Sequence, residues 1–164
     1  MHASAAIRSA LAFTDAGITG ILQGMHEHAL VRSTPGTGNH PMWIMGHLAY
    51  IEGAIVSCIT GEPNPAADLE SRFAPGTTPS DDPGVYPRFS DLVARFHELR
   101  ARTIATLDRI GDAGLDARPR FVPPAFESVM TSVGATFMIG ALHTMVHYGQ
   151  LTDARRVAGL KPLM

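Results

Sequence analysis

Two histidines stand four residues apart in "ALHTMVHYGQL", residues 141–151. On a helix, positions i and i+4 share one face, with Cβ atoms about 5–6 Å apart. Imidazoles so placed can reach one metal ion from successive turns, so His143 and His147 are the first candidates for chemistry. Spacing alone proves little. Eight histidines occur among 164 residues, and random placement of that many yields roughly 0.4 pairs at this spacing. A metal site also needs a third ligand from another segment. His47 is the candidate, set inside the apolar run "MWIMGHLAYIEGAIV". Three neutral imidazoles leave coordination positions open, the arrangement of catalytic rather than closed structural sites. Zn, Ni and Fe(II) all accept imidazole, so the ligand set does not name the metal. The competing reading is of buried histidines hydrogen-bonded to the opposite helices.

Other chemistries lack their residues. Position 144 is Thr, so the HExxH protease pattern is missing. No Glu-x-x-His occurs, against a carboxylate-bridged di-iron bundle, and no CxxCH, against covalent haem. Cys58 is the sole cysteine. It reads as a small buried hydrophobe, since no neighbour in sequence lowers its pKa. A formal charge of −2 offers no basic field for nucleic acid or an anionic membrane surface. Neither a signal-peptide pattern nor 18 consecutive apolar residues occurs, so the expectation is a cytoplasmic protein with no membrane partner. Only 17% of residues are charged, and the apolar surplus points to burial between subunits, a homo-oligomer.

Helices must position these side chains. Ile7, Leu11, Thr14, Ile18, Ile21, Met25 and His28 step by three and four, which predicts a first helix over 4–32. "RSTPGTG" breaks it. Asn39 or His40 caps a second helix, with Pro41 in its first turn and Gly61 at its end. Residues 61–88 hold too many prolines and glycines for a regular element, with Phe73, Val85 and Tyr86 available to pin the segment to the body. Ser90 is the expected N-cap of a third helix, whose stripe is Leu92, Phe96, Leu99, Thr103, Leu107 and Ile110. Residues 112–128 form another irregular crossing. A fourth helix covers roughly 129–159, with Gly159 at its end and Pro162 beyond. The fold class expected is all-α: one domain over 1–164, a four-helix bundle with long second and third connections, in up-down-down-up order. At 1.5 Å per residue, His47 lies about 12 Å from the shared end of the bundle, His147 about 18 Å and His143 about 24 Å. These depths tolerate a shared site.

"NHPMWIMGHLAYIEGAI" (39–55) resembles the Trp-x-x-Gly-His-Leu signature of the DinB-like (DinB/YfiT-like) four-helix bundle proteins. "HTMVHYGQLTDARRVAGLKP" (143–162) resembles their last-helix signature, His-x-x-x-His followed by Gly-Gln and a short Arg-containing tail. The resemblance covers all four helices in order. It implies that His47, His143 and His147 hold a divalent Zn, Ni or Fe ion in a bundle that is often dimeric. It also implies an activity among thiol-dependent S-transferases, with a low-molecular-weight thiol as cosubstrate and a small molecule as substrate. Iron-dependent relatives that make sulfoxides carry a carboxylate two residues after the second histidine. Gly149 stands there in this chain, which argues against that reaction. Tyr148 replaces a residue that is basic in many relatives.

Other residues have less decided roles. His28 and His40 are candidates for lining the mouth of a cavity, against a reading as exposed residues near helix ends. Trp43 sits one turn before His47 as a packing anchor or a lining residue. Gln150 shares the face of His147 and can hold water or orient a ligand. His26 and His97 read as surface residues, and Arg95, Arg100, Arg102 and Arg109 as a solvated face. Glu52 is off the His47 face, so it is not assigned as a base. The expected function is a metal-dependent enzyme acting on a small molecule by S-transfer. Metal-dependent hydrolysis and metal or ligand binding without turnover are the alternatives.

Overall fold

The computed structural model describes residues 2–161, and among these it contains five α-helices and no strand. Four helices are long: α1 (Ala3–Ile21), α2 (Pro41–Thr60), α4 (Phe89–Ile110) and α5 (Val133–Val157), with a short α3 (Glu70–Phe73) between α2 and α4.

The apolar periodicity places each long helix, but the ends differ from expectation. α1 buries Ile7, Leu11, Thr14, Ile18 and Ile21 as expected. It stops at Ile21 rather than continuing to 32, because Gly24 turns the chain at φ +74° and the Arg155 guanidinium takes the carbonyls of Ile21 and Gln23. His26–His28 then form a single 3₁₀ turn. α2 begins where Pro41 predicts, capped by His40, whose Nδ1 accepts from the Trp43 N–H at 3.1 Å. It ends on Gly61 at φ +78°. α4 is entered from Arg88, not Ser90. The Leu92 N–H already donates to the Arg88 carbonyl, and Arg88 grips Asp91 at 2.9 Å. α5 starts at Val133, later than 129, because residues 124–126 make their own 3₁₀ turn. The Ser132 hydroxyl accepts from the Ala135 N–H as the α5 N-cap. Pro162 lies outside the described residues.

The 61–88 connection is more ordered than its prolines suggest. A 3₁₀ turn over Ala67–Leu69 leads into α3, and Leu69 and Phe73, one helical turn apart, are both buried. Phe73 fits because residue 46 is glycine: a Cβ there would lie 2.3 Å from the Phe73 ring. Tyr86 stacks on Phe73 with centroids 5.5 Å apart, whereas Val85, expected to help, is exposed.

Two apolar clusters fill the interior. One gathers Ile18, Met45, Leu48, Phe73, Phe96 and Leu151, the other Leu11, Ile55, Ile59, Leu107 and Phe137. Between their sequence positions on all four long helices runs a polar layer. Arg100 donates to Glu52 at 2.7 Å, to the Leu11 carbonyl and Thr14 hydroxyl at 2.7 Å, and to the Thr144 hydroxyl at 2.8 Å. The Thr103 hydroxyl donates to the other Glu52 oxygen at 2.7 Å. Arg100 is only 1% exposed, so it is a core residue and not part of a solvated face. The charged run around it disguised an inward position on the α4 stripe.

Contact partners order the helices. Ile7 lies near Gly134, Gly17 near Tyr148, and Ile21 beside Arg155. On the other side, Arg8 pairs with Asp108, Thr14 with Arg100 and Asp15 with His97. α2 is apolar and long enough to cross a membrane, but 78% of its apolar window is buried inside the protein, as a core helix must be.

Candidate metal centre

α2 carries His47 to the face of α5 that bears His143 and His147. The Nε2 atoms of His47 and His147 each lie 3.2 Å from Nε2 of His143, and one ring nitrogen from each histidine falls within 4.8 Å of the others, a grouping that could hold a metal ion.

What lies behind each ring decides which nitrogen faces inward. Nδ1 of His47 is 2.7 Å from the Phe73 carbonyl. A carbonyl can only accept, so Nδ1 carries the proton and Nε2 presents a lone pair. Nδ1 of His147 donates in the same way to Oε1 of Gln150 at 2.9 Å. That amide oxygen also accepts from Asn39 at 3.2 Å. Two lone pairs therefore converge on a third imidazole. Nδ1 of His143 is buried with no partner among the described residues.

Burial disfavours charge on all three rings. It is the largest cause holding His143 down at about 3, with the neighbouring His147 and His47 adding to it. It likewise holds His147 at about 4, with His47 adding and the Gln150 hydrogen bond opposing. It also lowers His47, against the Phe73 hydrogen bond. Burial thus favours the neutral imidazole, which is the form that ligates metal.

The donor set fits a divalent cation. A tetrahedral ion with bonds of 2.0–2.1 Å needs nitrogens about 3.3 Å apart, and two of the separations here are 3.2 Å. Carbonyl acceptors behind the imidazoles are the usual partners that hold metal-binding tautomers. Facing lone pairs without a shared proton repel, and a cation removes that repulsion.

A family model described as the DinB superfamily matches residues 10–151. The chain belongs to the DinB superfamily. No curated protein matches it. The DinB match spans all three converging histidines, both the α2 and the α5 positions.

The other candidate residues of this DinB chain fall into different places. Trp43 stacks on His47 with centroids 4.6 Å apart and planes at 11°, and its Nε1–H is shared between the Arg72 carbonyl and the Thr77 hydroxyl. Gln150 orients His147 directly. His40 is 0% exposed and serves as a helix cap. His28 is half-buried in the 3₁₀ turn after α1. His26 is exposed as expected, while His97 is half-buried and bonds Asp15 at 2.8 Å.

A cavity of about 330 Å³ opens beside the centre, with His47 and His143 in its wall. α2 supplies Tyr50, Ile51, Ala54 and Cys58, and α5 supplies Ile139. The connections close it with Pro75 from 61–88, and with Pro123, Phe126 and Met130 from the segment before α5. His28, His40, Trp43 and Gln150 do not line this cavity, because capping, stacking and hydrogen bonding hold the last three elsewhere. Cys58 is buried, and burial pushes its thiol pKa up, consistent with a packing role. A hollow of about 370 Å³ near Arg118 and Glu127 contains none of the histidines and is not part of this site.

Sequence reading singled out Gln150 but missed the group behind His47. The Phe73 carbonyl is backbone, so no residue type advertises it. Its only trace was Gly46, the small residue that lets Phe73 approach.

Proposed function

We propose that this protein is a metal-dependent enzyme that transfers the sulfur of a small thiol onto an electrophilic small molecule. The observation that carries this reading is the convergence of three Nε2 atoms beside an apolar cavity that two of the rings, His47 and His143, line. His47, His143 and His147 would hold a divalent Zn, Ni or Fe ion. Such an ion supplies Lewis acidity that lowers the pKa of a thiol or water beside it. The chain's own residues do the rest. Phe73 and Gln150 keep the ring protons on the outer nitrogens, Trp43 fixes the plane of His47, and the cavity walls keep water from competing. In the reaction the thiol proton goes to solvent, a sulfur–carbon bond forms, and the electrophile's leaving group departs with its electron pair.

The architecture proposed is an up-down-down-up bundle. It is supported by partners that advance together along α1 and α5, against opposed partners along α1 and α4. A cytoplasmic location is supported by the lone buried thiol of Cys58. A homodimer is supported by exposed Leu142 and Val146, four apart on α5.

The test is metal analysis of purified protein beside His47→Ala, His143→Ala and His147→Ala variants, followed by a thiol-plus-electrophile assay. Near-stoichiometric metal is expected in the parent and a loss of at least about tenfold in each variant. Equal, negligible metal in all four would refute the centre. Bound metal with ester hydrolysis but no thiol transfer would shift the reading to a hydrolase. Bound metal with neither activity would leave a binding protein.

A further inference from the structure

The cavity beside His47 and His143 has a one-sided chemistry. Among the described residues its lining contains no Lys, Arg, Asp or Glu. Apart from the two imidazoles, only the Tyr50 hydroxyl and the Cys58 thiol offer polar side-chain atoms. Rings and aliphatic groups make up the remaining wall, with Phe126, Pro75 and Pro123 contributing flat faces from the connections. Burial raises the Tyr50 pKa, and acidic Glu70 and the Cys58 thiol add to the rise.

Beyond the His47 and His143 end, where the ion's own charge would act, an ionised group leaves its hydration shell and gains no counter-charge from the side chains, a large cost unless it is paired. A neutral ring loses little and gains contact over both faces. Resting on the metal-centre reading above, we infer that the electrophilic substrate is an uncharged, largely apolar molecule, aromatic in particular. It presents its reacting atom at the His47 and His143 end, and the wall beyond that end discriminates against anionic groups.

A matched pair of probes tests this. 2-(Methylsulfonyl)naphthalene and 2-naphthalenesulfonate differ only by a methyl group in place of one anionic oxygen, and sulfonate is a poor metal ligand. Calorimetric titration of the zinc-loaded full chain should give the sulfone at least about tenfold tighter binding. Ala54→Trp and Ile139→Trp fill the cavity from facing helices. Each should weaken the sulfone at least about tenfold while zinc content and helicity hold. Ala54→Arg should raise affinity for the sulfonate above the parent value.

Equal or tighter binding of the sulfonate by the parent overturns the inference. So does no measurable binding of the sulfone, or a sulfone affinity unmoved by both Trp variants. The outcome is separable from the metal reading. Sulfone binding in a chain that takes up no zinc refutes the centre, whereas full zinc uptake without the sulfone preference refutes only the substrate class.

Discussion

Gln150 gives its amide oxygen to His147, and that contact decides which nitrogen of the ring faces inward. Gln150→Leu removes the acceptor and frees the ring to adopt the other tautomer. Metal affinity should fall about 10–100-fold, the usual cost of losing such a partner, as read by competition with a chromophoric chelator. Unchanged affinity would show that the tautomer is held by something else. His40 gives a second residue-scale prediction. Its Nδ1 accepts from the Trp43 N–H, and its Nε2–H donates to the Ser80 carbonyl at 2.9 Å. Burial holds its pKa below the usual 6.5, the Ser80 hydrogen bond opposes, and Arg32 adds to the lowering. Below about pH 6.5 the unfolded chain therefore binds the proton more readily than the folded one. The neutral cap's contribution is whole above that pH and is lost as pH falls through the folded-state value. His40→Asn can still cap but does not titrate. Urea unfolding from about pH 7.5 to 5 should show the parent losing stability relative to the variant as pH falls. Parallel curves would mean that His40 binds its proton equally well in the folded and unfolded chain.

At the scale of elements, the four long helices were legible because each presents an apolar stripe at helical period. Their ends were less so. Residues 22–32 carry the same spacing as α1, but whether a helix continues depends on where its last carbonyls find donors, and Arg155 comes from the far end of the chain. α3 was hidden among prolines because its stability comes from seating Leu69 and Phe73 in the core rather than from local propensity. The Glu52–Arg100 pair joins α2 to α4 within the polar layer. Removing one partner strands a buried charge, so Glu52→Leu or Arg100→Met alone should cost about 3–5 kcal/mol. The double variant should cost less than the two together, with the coupling measured by a double-mutant cycle in denaturant. Additive losses would mean that the pair is not the unit.

Across the whole molecule, Leu142 and Val146 are 60% and 62% exposed on α5, and Phe13 is 69% exposed on α1. A homodimer that covers the α5 face should give twice the chain mass by light scattering, and Val146→Glu should shift it toward the monomer while metal content holds. A parent that is monomeric at all concentrations would refute the dimer. The cavity also belongs to this scale, since two helices and both long connections build it. The sequence alone determined the helix periods, the shared face of His143 and His147, and the apolar setting of His47. Those properties follow from local geometry repeated every few residues. Tertiary structure decided that His47 comes within 3.2 Å of His143, that a backbone carbonyl and Gln150 hold the ring protons outward, and that Arg100 is buried. It also decided that, among the described residues, no Lys, Arg, Asp or Glu lines the cavity beside the centre. Each of these depends on how helices rotate and seat against one another, which packing between distant segments sets and local periodicity does not encode.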